Sequence, residues 1–214
     1  MSSDIEGRLE ALRREVQELK SKGEIVVSEK LANPAPLGLA GFGITTLVLN
    51  VINAEIISEE SIGMVLPLGL FYGGLAQFMA GMWEAKKNNT FGFTAFSSYG
   101  AFWMAYALMK ILVGNGVLAP VPHEGMTVFL VAWGIFSTYM FVGTIKISVA
   151  LQVAFAGVAV LFFLLAWGQH NETVHKIAGY EGLFTAGAAL YASAAGVINE
   201  AWGRYVLPLG IVKK

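Results

Sequence analysis

The chain contains no cysteine, which excludes a disulfide framework, a thiolate nucleophile and cysteine-ligated metal. It is also poor in charge. Asp, Glu, Lys and Arg make up 14% of its 214 residues, against roughly a quarter in an average soluble domain. The charge it has is uneven, with thirteen of the 29 charged residues inside positions 1–30. A net charge of −1 without a basic stripe argues against a nucleic-acid partner. There is no P-loop and no paired-carboxylate site, so the chain does not read as an enzyme, and no cofactor is expected. His170 and His175 stand five apart without a third ligand, which is too little for a metal site. His123 reads as a solvated loop residue. Asn171-Glu172-Thr173 matches a glycosylation sequon that is common by chance.

Apolar residues are present in excess, at 56% with a mean hydropathy of +0.62. Six segments carry no charge at all: Leu37–Ala54, Ile62–Trp83, Phe91–Met109, Met126–Ile145, Ile147–Gln169 and Gly182–Asn199, each 18–23 residues long. A helix needs about 20 apolar residues to cross a hydrocarbon core of roughly 30 Å, whereas a barrel would show alternating segments of about 10. The fold class is therefore an all-α integral membrane protein, a bundle of six transmembrane helices in contact with membrane lipid. The start of the chain is charged, so no cleavable signal peptide is expected. Residues 1–30 read as a separate amphipathic helix, 31–210 as the membrane domain and 211–214 as a tail.

Lys and Arg set the expected orientation. One side would hold twelve of them: six in the tail, then Lys86, Lys87, Lys146, Arg204, Lys213 and Lys214. The other would hold Lys110 and Lys176. The excess of positive charge on cytoplasmic loops places both termini inside. Trp83, Trp167 and Trp202 fall near span ends, where aromatic anchors sit. The longer connections, Gly114–Gly125 and Gly168–Gly179, then lie outside. They are too short for a catalytic domain, so function belongs to the helical body or its mouths.

In the N-terminal segment Ile5, Leu9, Leu12, Val16 and Leu19 are spaced 4-3-4-3, the a/d seam of a heptad. Ser3 or Asp4 can cap its start and Gly23 can end it. The seam suits self-association, and an amphipathic helix on the membrane surface is the competing reading. Five seam residues are too few for a strong coiled coil alone.

The first span opens with Asn33-Pro34-Ala35-Pro36-Leu37-Gly38. Asn is a good N-cap and Pro suits the first turn, and a helix N-terminus at a cytoplasmic mouth attracts anions. Polar residues recur within the spans: Thr45, Thr46, Asn50, Asn53, Tyr72, Gln77, Thr94, Ser97, Ser98, Tyr99 and Gln152. Such groups either glue helices together or line a wet path for a small polar or weakly acidic solute. Glu55, Glu84, Glu181 and Glu200 read as span-end residues, which leaves no mid-span carboxylate to relay protons. Gly69 and Gly73 form a GxxxG, and Ala186–Ala189 continues into Ala192, Ala194, Ala195 and Gly196; both are close-packing patterns.

Several of these blocks, in order, resemble the acetate uptake transporter family, the succinate–acetate permeases. They are Asn33–Leu39 as NPAPLGL, Gly41-Phe42-Gly43 with Thr45-Thr46, and Phe71-Tyr72-Gly73-Gly74 with Gln77. Then follow Thr90-Phe91-Gly92, Thr94–Trp103, Asn199-Glu200, Gly203-Arg204 and Val206–Gly210. The likeness covers about 31–210, and the heptad segment lies outside it. It implies a six-helix protomer with its own central path, assembled as a homo-hexamer, that carries acetate, with succinate or other short carboxylates as further candidate substrates. By position, the hydrophobic constriction would be Phe42, Tyr99 and Val158. Val158 replaces a larger Leu typical of bacterial members, which implies a slightly wider neck. Asn50, Thr46, Gln77, Ser97, Ser98 and Tyr72 are the candidate substrate-binding donors, with Asn33, Pro34, Pro36, Leu37 and Gly38 at the cytoplasmic mouth.

The expected function is thus transport of acetate or a similar small carboxylate, as an anion channel or proton-coupled permease. A carboxylic acid with a pKa near 4 is ionised at pH 7, and its charge costs several kcal/mol or more at the bilayer centre. A path must therefore supply donors for the head, while an apolar neck excludes hydrated ions by dewetting. A channel for a neutral solute such as urea or ammonia fits neutral linings too. A membrane sensor or enzyme is the remaining alternative.

Overall fold

The computed structural model describes residues 2–22 and 31–212. The chain divides into two units, Met1–Ala32 and Asn33–Lys214.

The first unit is built on helix α1 (Ser2–Ser21). Ile5, Leu9, Leu12 and Val16 are exposed along it. Ion pairs Glu10–Arg14 (3.8 Å) and Glu18–Lys22 (2.9 Å) span single turns, each contributing about 0.2–0.5 kcal/mol. The helix starts at Ser2, which puts Asp4 inside its first turn, where a carboxylate complements the helix dipole. Gly23, the expected stop, lies outside the described residues.

The second unit contains six helical spans long and apolar enough to cross a membrane, counted among the described residues. They are α2 (Ala35–Asn53), a composite span, α5 (Thr90–Gly114), α6 (His123–Thr144), α7 (Val149–Gly168) and α8 (Glu172–Trp202). The composite span starts with a short 3₁₀ turn, Glu59–Ser61. It continues as α3 (Ile62–Leu70), widens into a π turn at Phe71–Ala76 and ends as α4 (Gln77–Lys86). Pro67 sits inside α3; its missing N–H weakens the ladder just before the π turn. As a consequence, the GxxxG pair does not form one face. Gly69 packs against Ala107 and Trp103 of α5, whereas Gly73 packs against Thr45 of α2.

The sixth span differs most from its expected limits. Helix α8 is 31 residues long and begins ten residues before Gly182, with the Asn171 side chain accepting from the Val174 N–H at 3.0 Å. Most of the expected outer loop at 168–179 is therefore helix. Glu172, Lys176 and Glu181 ended the charge-free run without ending the helix, because a single charge costs a helix little when a cap fixes its start upstream.

The spans form a ring in which α2 packs on α8, α8 on α7, and α7 on α6, while α2 also meets the α3–α4 span and that span meets α5. The seam between α5 and α6 closes the ring. Their backbones approach only sparsely there, and large rings fill the gap: Phe102 on Phe129 and Trp133, and Tyr99 on Trp133 and Phe136. At the opposite seam α8 presents Gly179 to Asn53 and Ala54, and Gly182 to the Asn50 side chain. A Cβ at either glycine would collide with α2.

The chain end folds back over the start of α7. Val149 and Ala150 N–H donate to the carbonyls of Gly210 (2.9 Å) and Leu209 (3.1 Å), and Val212 N–H donates to the Ile147 carbonyl (3.0 Å). Asn199 anchors the segment by accepting from Val206 and Leu207 N–H and donating to the Leu207 carbonyl. Ile211 and Val212, read from sequence as a free tail, are thus bonded into the body.

Candidate functional site

Three helix N-termini meet at one end of the ring. They line a vestibule of about 630 Å³, bounded by Asn33, Pro36, Asn89, Gly92, Lys146 and Ser148 at its rim. Their local chemistry differs. The cap position of α2 is Pro34 rather than Asn33, because Pro lacks an N–H and its fixed φ suits a helix entrance. Asn33 stands one residue further out and accepts from Ala35 N–H and Lys87 Nζ, both at 3.3 Å. In α5 the Asn89 side chain accepts from Gly92 N–H at 3.2 Å. The α7 terminus is already satisfied by Ser148 and by the returning chain end. Positive potential at this mouth therefore comes from the α2 and α5 dipoles and from Lys146, with Lys87 bonded to Asn33. Each helix end contributes about 0.3–1 kcal/mol toward an anion.

Below the vestibule the walls converge. Leu39, Phe96 and Phe155 line both the vestibule and a second, much smaller cavity, whose other walls are Phe42, Gln77, Tyr99, Ala154, Val158 and Ala189. This cavity holds about 20 Å³, space for one water. Phe42 and Tyr99 rings lie 5.7 Å apart, and Phe155 is 6.1 Å from Tyr99. The Tyr99 hydroxyl does not point a free donor into the neck. It donates to Ser137 Oγ at 2.8 Å, which in turn donates to the Trp133 carbonyl at 2.8 Å. This chain of bonds fixes the position of the ring.

Beyond the neck the polar candidates lie on the face of α2 that carries Phe42, one and two turns on. Thr46 is buried, and its Oγ1 has no partner among the described residues; the same is true of Gln77 Oε1. Asn50 is buried, donating to the Thr46 carbonyl at 2.8 Å and accepting from Asn53 at 3.1 Å. The far end opens at a crevice of about 520 Å³ lined by Ile52, Asn53, Glu55 to Glu59 and His175. There Lys176 pairs with Glu55 at 2.7 Å.

Phe42, Tyr99, Val158 and Gln77 thus share one cavity, and Thr46 and Asn50 continue along the same face. Leu37 is exposed, and Gly38 is buried against Phe96. Ser97, Ser98 and Tyr72 line neither cavity. Ser97 packs against Gly81 of α4, Ser98 is half-buried, and Tyr72 sits in the π turn with its carbonyl against Gly41. Gln152 donates to the Ile145 carbonyl at the α7 entrance.

Two carboxylates read as span-end residues lie within the spans, Glu84 buried and Glu181 half-buried. Glu84 is buried beneath the start of α5, with Oε2 accepting from Asn89 at 2.8 Å and Cγ against Gly92. Glu181 lies nine residues into α8, accepting from Thr185 Oγ1 at 2.7 Å, beside Gly157 in the middle of α7. The missed signal is the i, i+4, i+8 spacing of Glu181, Thr185 and Ala189, which places Glu181 two turns from the neck-lining Ala189, on the side of α8 that packs on α7.

Comparison with known proteins follows the same outline. The GPR1/FUN34/yaaH family matches residues 16–209, reaching back into the segment that the sequence reading set apart. An uncharacterized protein of Methanothermobacter thermautotrophicus is 46% identical over 194 residues, covering 86% of this chain and 94% of its own. The succinate–acetate/proton symporter SatP of Escherichia coli K12 is 44% identical over 183 residues, covering 85% and 96%. Acetate permease A of Emericella nidulans is 37% identical over 201 residues, covering 86% and 67%. The solved structure of the bacterial acetate channel SatP superposes with a TM-score of 0.82 at 44% identity, over 85% of this chain and all of the other. The chain is a multi-pass membrane protein of the GPR1/FUN34/yaaH family.

Proposed function

We propose that the protein carries acetate, and related short carboxylates such as succinate, across the cytoplasmic membrane along a path within each protomer. The observation that supports this reading best is the sequence of spaces along the ring axis. A vestibule rimmed by helix N-termini and Lys146 leads into an apolar neck with room for one water. Buried Thr46, Gln77 and Asn50 offer polar groups in and beyond it. Phe42, Tyr99 and Val158 would contact the methyl end of the substrate. Hydrated ions would not pass, since an apolar constriction of this width resists wetting.

The Lys and Arg distribution supports placing the vestibule and both chain ends on the cytoplasmic side. The resemblance to acetate channels and permeases supports a homo-hexamer. An apolar outer groove between α7 and α8, lined by Val153, Leu183, Phe184 and Tyr191, is compatible with a neighbouring protomer or lipid.

The test is exchange of labelled acetate in reconstituted liposomes, with unlabelled propionate or urea as competitor. Propionate is expected to compete and urea to have no effect. Inhibition by urea alone would replace the carboxylate by a neutral solute.

A further inference from the structure

We infer that Glu181 is the proton donor that neutralises the carboxylate substrate before it enters the apolar neck. The inference rests on the transport reading above and adds to it a residue and a chemical step.

The geometry has three parts. First, Glu181 lies two turns along α8 from a residue that lines the corridor. Ala189 lines the neck and Ala192 and Gly196 line the vestibule, and stepping back along α8 by four and by eight residues from Ala189 leads to Thr185 and Glu181. Second, Glu181 is half-buried where α8 packs on α7, on the side of the neck away from the vestibule. A Cβ on Gly157, the residue before Val158, would lie 3.2 Å from Glu181 Oε1. Gly182, the residue after Glu181, touches the carboxamide of Asn50. Glu181 is therefore held between the two helices that carry Val158 and Asn50. Third, its bonding is incomplete. Oε1 accepts from Thr185, while Oε2 is buried with no partner among the described residues.

Nothing facing Glu181 competes for the proton. The helices packed against α8 are α2 and α7. Neither contains an ionisable residue, and α2 offers only the amides Asn50 and Asn53 at this level. On α8 itself, Lys176 is paired with Glu55, and His175 lines the far crevice. Tyr180 is exposed.

The chemistry follows from this placement. The side chains lining the neck are an amide, a phenol already bonded and hydrocarbons, and none exchanges a proton readily near neutral pH. A side-chain carboxyl and a short-chain carboxylate are the same functional group, so the proton passes between like oxygens. The O–H bond of the Glu181 carboxyl breaks and one forms on the substrate oxygen, giving Glu181 carboxylate and the neutral acid. The neutral acid crosses the Phe42–Tyr99–Val158 neck without a bare charge. It returns its proton to water in the vestibule, and water at the far crevice reprotonates Glu181. One proton accompanies each carboxylate, and no helix has to move.

The experiment uses the full chain in liposomes, with empty liposomes as the blank. It compares acetate with acetamide, its neutral isostere, which needs no proton. For the wild type, acetate entry is expected to acidify an entrapped pH dye one proton per acetate and to carry no current. For Glu181→Gln, purified as monodisperse protein, acetamide flux is expected to stay at the wild-type level. Acetate flux is expected to fall at least about tenfold near pH 7 and to recover by about tenfold per pH unit on acidification, as free acid replaces the anion. Glu181→Asp is expected to restore acetate flux in part. The inference is overturned if Glu181→Gln keeps wild-type acetate flux and pH profile, or if it loses acetamide and acetate together. Should that variant not fold, wild-type current reversing at the acetate equilibrium potential overturns it, and electroneutral flux with partial activity in Glu181→Asp supports it. A wild type that passes acetamide and no acetate at any pH would sink the transport reading itself.

Discussion

Phe42 and Asn50 stand about 12 Å apart along α2 at 1.5 Å per residue, and on the proposed path they would meet the substrate at different depths. Phe42 is buried against Tyr99. Its truncation to Ala removes a ring from the narrowest point, and uptake of propionate and butyrate in liposomes is expected to rise relative to acetate. The same change costs about 3–5 kcal/mol of stability, so thermal melting in detergent should drop in parallel. Asn50→Leu keeps volume and removes a polar group beyond the neck. A hydrogen bond to a charged group is worth about 1.5–3 kcal/mol, so acetate flux should fall about tenfold or more while the protein stays monodisperse. Unchanged flux would make Asn50 a packing residue against Gly182. The neck itself is legible in sequence only through the ordered family blocks. Nothing in the pattern of α5 separates Tyr99, which lines the neck, from Ser98, which does not, because every face of that helix is apolar or weakly polar. Glu181 escaped for another reason: a span drawn as a charge-free run ends at its first charge, whether or not the helix does.

At the scale of elements, glycines and one proline decide how closely the helices approach. The π turn at Phe71–Ala76 turns Gly73 toward Thr45 while Gly69 faces Trp103, so the two glycines serve two neighbours. Gly73→Leu would drive a side chain into Thr45. Overpacking of this kind costs about 1–3 kcal/mol, and is expected to appear as a lower melting temperature and loss of monodisperse protein. The existence and number of the spans were readable from hydrophobic run lengths. The π turn, the N-terminal extension of α8 and the packing of the chain end on α7 were not. Each depends on a partner distant in sequence: Thr45 for Gly73, Asn50 for Gly182, and Val149 for Gly210.

At the scale of the whole molecule, the body and the heptad segment behave as separate units. The body carries the packed core, whereas α1 leaves Ile5, Leu9, Leu12 and Val16 exposed. Removal of residues 1–24 is accordingly expected to leave the oligomer mass in detergent and acetate exchange unchanged. A collapse to protomers would make the heptad seam the source of assembly. The family match beginning at residue 16 shows that part of this segment travels with the body among relatives, which the heptad pattern alone did not reveal.

The sparse meeting of α5 and α6 gives the ring one wall made of side chains rather than of backbone. Aperture there is a matter of χ angles: swinging the phenol of Tyr99 off Ser137 breaks one hydrogen bond, worth about 0.5–1.5 kcal/mol net, and leaves every helix axis where it was. Rotamer flips of exposed side chains take picoseconds to nanoseconds, and a packed ring turns more slowly, yet neither needs the microsecond-to-millisecond rocking of rigid bodies that alternating-access carriers use. On the proposed path, Tyr99 would be the hinged peg of a turnstile whose frame stands still.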